Sequence, residues 1–196
     1  GGKFQVANRK DFNDSLTLYT IPDLEDNRFQ DIRLQDNGKY KYFRYLPPSP
    51  SRGNMAELYT FNEEGDTLHA LHFIGNSHSQ PKHGMETLTD GDVLSFYESE
   101  DTEKIWYGWE YSYPVSLSRI VFLPRNDDNF IREGETYELF YWNDKGWMSL
   151  GKQKGNFQAE LTFPNAPLHA LFWLHNHHKG KEERLFTYEN GKQIWR

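Results

Sequence analysis

The sequence predicts an all-β protein, an antiparallel β-sandwich, and three observations carry that expectation. Aromatic residues reach 16% in a chain whose hydrophobic content is only 36%. Such a core is built from Phe, Tyr and Trp, which favour the pleated, half-buried surface of a sheet. Short apolar segments recur, and Gly, Pro, Asn or Asp punctuates them, as expected for strands joined by turns. No segment keeps a helical period over three turns.

The expected strands, in order, begin with Lys3–Ala7, Thr17–Ile21, Tyr40–Leu46, Met55–Phe61, His69–Ile74 and Ile105–Glu110. They continue with Leu117–Leu123, Thr136–Trp142, Trp147–Leu150, Ala159–Phe163, Ala170–Leu174 and Arg184–Tyr188. A turn or short helix is expected around Lys82–Leu88. Asn143-Asp-Lys-Gly146 between Trp142 and Trp147 is a hairpin signal.

Lys41-Tyr-Phe-Arg-Tyr-Leu46 and Met55-Ala-Glu-Leu-Tyr-Thr-Phe61 are echoed by Ala170-Leu-Phe-Trp-Leu174 and Glu182-Glu-Arg-Leu-Phe-Thr-Tyr188. On that echo, residues 1–65 form a partial β unit, equivalent to the second half of a module, and residues 66–196 form a complete sandwich. The charged stretch Asn62-Glu-Glu-Gly-Asp66 is the expected boundary.

The 196-residue chain carries a formal charge of −7 and shows no basic stripe, so nucleic acid is a poor partner. No apolar run approaches the ~20 residues needed to span a bilayer, and no membrane insertion is expected. There is no cysteine, which removes disulfide and thiolate chemistry. The chain opens on Gly1-Gly2, read as a trimmed start, so a localisation signal of the parent protein is expected to lie elsewhere. A monomer is expected.

Four features in residues 68–196 resemble the galactose-binding-like jelly-roll sandwich of the F5/8 type C (discoidin) superfamily. They are Leu88-Thr-Asp-Gly-Asp-Val-Leu-Ser-Phe96, Ile105-Trp-Tyr-Gly-Trp-Glu110, Ile120-Val-Phe-Leu-Pro-Arg125 and the closing strand pair. Residues 40–61 resemble the end of the same module. The run from Pro124 to Trp195 looks like the C-terminal tail of large secreted proteins of gut Bacteroidetes, some of which carry a transglutaminase-like domain upstream. The resemblance implies a secreted, periplasmic or surface location. It implies an accessory module that binds a glycan, or one that packs on the parent protein's catalytic domain with no free ligand. It also implies a structural Ca²⁺ held by Asp90 and Asp92, with Glu183 as partner.

Read from the residues alone, Asp90-Gly-Asp92 suits either a calcium loop or an Asx-type turn. The run Pro124-Arg-Asn-Asp-Asp-Asn129 suits a structural corner locked by Arg125 on Asp127 or Asp128, or a ligand contact through Arg125, Asn126 or Asn129. Trp142 and Trp147 flank the hairpin signal, and Trp147 is the expected exposed ring for stacking on a sugar. His169, His175, His177 and His178 lack the spacing of a zinc site and read as a solvated loop. Glu182 and Glu183 are adjacent, so in a regular strand they point to opposite faces and cannot form a hydrolytic pair. Glu189 adds no pattern, and no catalytic activity is expected.

Overall fold

The computed structural model describes residues 1–22, 28–36, 38–179 and 185–196. The chain is all-β, with three antiparallel sheets and no α-helix among those residues. None of its described helical turns is long and apolar enough to cross a membrane. It divides into two compact units, Gly1–Asn129 and Phe130–Arg196.

The first unit contains β1 (Lys3–Ala7), β2 (Leu16–Thr20), β3 (Gln30–Arg33), β4 (Tyr40–Leu46), β5 (Met55–Phe61), β6 (His72–Gly75), β7 (Tyr107–Val115) and β8 (Arg119–Pro124). Five of these form one sheet in the order β2-β1-β4-β7-β6, and three form another in the order β3-β8-β5. Alternation sends Phe4, Val6, Phe43, Tyr107 and Trp109 from the first sheet and Leu58, Ile120 and Phe122 from the second into one buried core. Phe4 meets Phe122 across it, with ring centroids 5.2 Å apart. Two sheets that share a core in this way form a sandwich. The close pairing of β4 with β7 requires Gly108, because a Cβ there would collide with the carbonyl oxygen of Phe43. A 3-10 turn at Met85–Thr89 packs its Leu88 into the core.

The second unit is one antiparallel sheet in the order β10-β9-β11-β12-β13. Its strands are β9 (Thr136–Trp142), β10 (Trp147–Lys154), β11 (Phe172–Asn176), β12 (Leu185–Glu189) and β13 (Lys192–Trp195). Leu139, Phe172 and Phe186 point to its inner face, where Phe163, Ala166 and Ala170 from the preceding loop pack on them.

The expected boundary at residues 65/66 lies inside the first unit. β4 pairs with β7 and β5 pairs with β8, so strands from both sides of that point share both sheets. The faced pair of sheets therefore occupies residues 1–129 rather than 66–196. The sequence echo does not carry into structure either. β4 and β5 lie in different sheets, whereas β11 and β12 pair directly. Ala159–Phe163 forms no strand.

Candidate functional site

Three strands of the second unit present one row of rings. β9 turns Tyr137 and Leu139 inward, so Glu138, Phe140 and Trp142 take the opposite face. In β11, Phe172 and Asn176 are buried, and Trp173 and His175 alternate with them. The turn after β9 is closed by a backbone bond from Asn143 to Gly146 and by the Asn143 side chain, which accepts from the Lys145 amide. It places Trp147 directly opposite Trp142.

The rings then run in sequence across the face. Trp142 and Trp147 stand 5.5 Å apart, Trp147 and Trp173 5.7 Å, Trp173 and His175 5.4 Å, and His175 and His177 4.5 Å, centroid to centroid. Phe140 stacks on Trp173 at 5.1 Å and supports the middle of the row. Trp142 is 44% exposed, His177 is exposed, and Trp147, Trp173 and His175 are half-buried.

A polar group borders one end. The Glu138 carboxylate accepts a hydrogen bond from Ser149 at 2.6 Å, lies 2.9 Å from His177 Nε2 and faces Lys152 at 3.5 Å. The Ser149 bond leads in holding this carboxyl below its ordinary range, with His177 and Lys152 assisting, so it is ionised at neutral pH. Aromatic faces beside such donors and acceptors suit a ligand with both C–H faces and hydroxyl edges.

The loop after β8 is turned in on itself. Arg125 Nε donates to Asp127 at 2.8 Å, and the guanidinium lies 4.2 Å over the Phe96 ring. Asn126 is 2% exposed; its side chain donates to the Val93 carbonyl and accepts from the Asp128 amide, both at 2.8 Å. The Asn129 amide closes back on the Asn126 carbonyl. Asp127 and Asp128 take the left-handed conformation that such a turn demands. Arg125, Asn126 and Asn129 thus belong to a corner of the first unit, whereas Trp142 and Trp147 are brought together in the second.

The Asp90-Gly91-Asp92 loop is an Asx-type turn. Asp90 accepts from the Asp92 amide at 2.8 Å and from the Ser95 hydroxyl at 2.9 Å, and Asp92 accepts from the Leu94 amide at 3.0 Å. Glu183 lies outside the described residues. The carboxyl that interacts with this loop is Glu57, 1% exposed on β5. Tyr59 donates to one of its oxygens at 2.5 Å, and the Gly91 backbone amide also favours the carboxylate. Burial pushes the Glu57 carboxyl up to about 7, and the charges of Asp90 and Asp92 add to that. These are hard oxygen donors of the class calcium takes. Among the described residues no three such side chains already stand in a metal-holding group, so a cation would have to draw the two aspartates from their turns.

Comparison with protein-family models, with curated proteins and with solved structures finds no match. The site therefore stands on its own geometry.

The sequence reading named Trp142 and Trp147 and expected Trp147 as the exposed ring, whereas Trp142 is the exposed one and Trp147, packed between Trp142 and Trp173, is half-buried; Trp173, His175 and His177, read as a strand end and a solvated loop, line up beside them. The available signal was the i, i+2, i+4 spacing of Trp173, His175 and His177, which places all three on one face of an extended segment. His178 stands apart, with Nδ1 accepting from the Thr136 amide at 3.1 Å. In the first unit, His83 stacks on Phe96 with ring centroids 4.3 Å apart.

Proposed function

We propose that this chain is a non-catalytic accessory module of a secreted or surface protein, and that it binds carbohydrate through the outer face of its second unit. The observation that carries this reading is the continuous ring row from Trp142 to His177, exposed at both ends and bordered by Glu138. Sugars offer apolar faces to aromatic rings and hydroxyls to flanking polar groups, and binding of that kind requires no bond to break. Glu138, the carboxylate beside the row, is engaged in an ion pair with Lys152, which supports binding rather than acid-base chemistry. Calcium is part of the proposal as a structural ion of the first unit. Asp90, Asp92 and Glu57 would hold it and brace the loop, with no part in sugar contact.

A glycan array tests this reading. The expected result is specific binding that Trp147→Ala removes from a folded protein. A blank array from a folded sample contradicts it.

One observation favours a second reading, a structural domain that packs on the parent protein's catalytic domain. The inner face of the same sheet carries a groove of about 770 Å³ lined by Leu139, Phe163, Leu168, Phe172 and Phe186. Leu168 at its rim is 87% exposed. An apolar surface of this kind suits a protein neighbour. A blank array together with stable binding of the upstream domain would select this reading.

A further inference from the structure

Resting on the carbohydrate reading, we infer that the row is an array of successive subsites for one extended, neutral glycan chain, bound along its length rather than by a terminal sugar.

Length is the first argument. The row contains five rings, Trp142, Trp147, Trp173, His175 and His177, and each step between centroids lies between 4.5 and 5.7 Å. That step is close to the span of one pyranose unit in an extended chain. A single terminal sugar covers one ring and leaves the others unused. The row runs from the hairpin tip at Trp142 and Trp147 along β11 to His177, so a chain laid on it meets several rings. Recognition of chain interiors follows from that geometry.

Ring orientation is the second argument, and it separates a single chain from a crystalline surface. Neighbouring ring planes are inclined by 74° at Trp142–Trp147, 63° at Trp147–Trp173, 57° at Trp173–His175 and 76° at His175–His177. No two adjacent rings share a plane. A flat crystalline face needs coplanar rings to rest on, whereas a free chain turns about its glycosidic bonds to meet each ring in turn.

Charge is the third argument. The ionised Glu138 carboxylate lies beside the His177 end of the row, and Lys152 and His177 already face it. The chain as a whole carries −7. A uronate or sulfated polymer would bring further negative charge to this edge, while a neutral chain would not.

The test is calorimetric titration of the full chain with neutral gluco-, manno- and xylo-oligosaccharides, from the monosaccharide to the hexasaccharide. Microcrystalline cellulose and oligogalacturonate serve as controls. In at least one neutral series, affinity is expected to rise with each unit and to level off near the tetra- or pentasaccharide. Trp142→Ala and His177→Ala remove opposite ends of the row. Each is expected to weaken the pentasaccharide about tenfold, the scale of a truncated aromatic contact. Each loss should be smaller for the disaccharide. Affinity that does not change with length overturns the array while leaving the carbohydrate reading in place. So does binding confined to crystalline polymer, or tighter binding of oligogalacturonate. No binding to any neutral series from a folded protein overturns the array, and a blank glycan array with it overturns the carbohydrate reading too.

Discussion

Trp147 meets Trp142 edge-on across the β9–β10 pair, with ring planes inclined 74° and Trp142 on the outside, 44% exposed. The pair divides two roles. Trp147 lies between Trp142 and Trp173 and holds the row together, while Trp142 offers a free face at the hairpin tip. Trp142→Ala is therefore expected to lower glycan affinity by about 1–3 kcal/mol. Its unfolding free energy should move by no more than about 0.5 kcal/mol, as for other exposed positions. Calorimetric titration and a urea melt of the same variant check both halves. A large stability loss with affinity intact would contradict this division.

The corner after β8 behaves in the opposite way. Asn126 joins the corner to the Val93 carbonyl and to the Asp128 amide from a nearly fully buried position. Replacing it by Ala removes both bonds from a buried position, at a cost of about 1–3 kcal/mol. Asn126→Ala should lower the urea midpoint while glycan affinity stays unchanged. Loss of sugar binding from a folded Asn126→Ala protein would return this corner to the ligand site.

Glu57 gives the fold a pH dependence. Its carboxyl is raised from an ordinary value near 4.5 to about 7, chiefly by burial. Between those pH values the native protein keeps a proton that the unfolded chain has released. The contribution of this group is therefore full below the unfolded value and is lost as pH rises through about 7. Its size is ~1–3 kcal/mol. Glu57→Gln should remove this slope and make the protein more stable than wild type at pH 8, in chelator. Urea melts at a series of pH values measure it. A wild-type and a Glu57→Gln curve that run parallel would contradict the buried-proton account.

Calcium tests the same carboxyl from the other side. A cation that binds only the native state raises the melting temperature as its concentration rises. Millimolar calcium is expected to raise the thermal midpoint of the wild type by several degrees. Glu57→Gln and Asp92→Asn should each remove that rise. An unchanged midpoint in calcium and in chelator would leave Asp90-Gly91-Asp92 as an Asx turn alone.

Much of the secondary structure was legible, and the reasons are local. β1, β4, β5 and β9 follow from apolar and aromatic runs bounded by turn residues. β3 was missed because Gln-Asp-Ile-Arg carries one apolar residue. It is an edge strand, tied to β8 by the paired bonds of Arg119 to Asp31 at 2.7 and 2.8 Å. β13 follows an Asn190-Gly191 turn with both residues at positive φ, a hairpin signal present in the sequence and passed over. Ala159–Phe163 looks apolar enough for a strand, but Ala159 is left-handed, and the Gln153 side chain bonds the Thr162 backbone from both its oxygen and its nitrogen.

The division at residue 129 was illegible for a different reason. It depends on which strands pair at long range, β4 with β7 and β5 with β8, and no local pattern records that choice. The site was half legible for the same reason. Trp142 and Trp147 flank a readable hairpin, but only the pairing of β9 with β11 brings Trp173 and the two histidines into line with them.

The most direct test follows the indole N–H signals of the six tryptophans by NMR while the best glycan of the array is titrated in. The account predicts that the signals of Trp142, Trp147 and Trp173 shift together, with one affinity, while that of Trp109, buried in the first unit, stays in place. Shifts confined to Trp106 or Trp195, or no tryptophan shift during proven binding, would place the sugar elsewhere and contradict the assignment of this face.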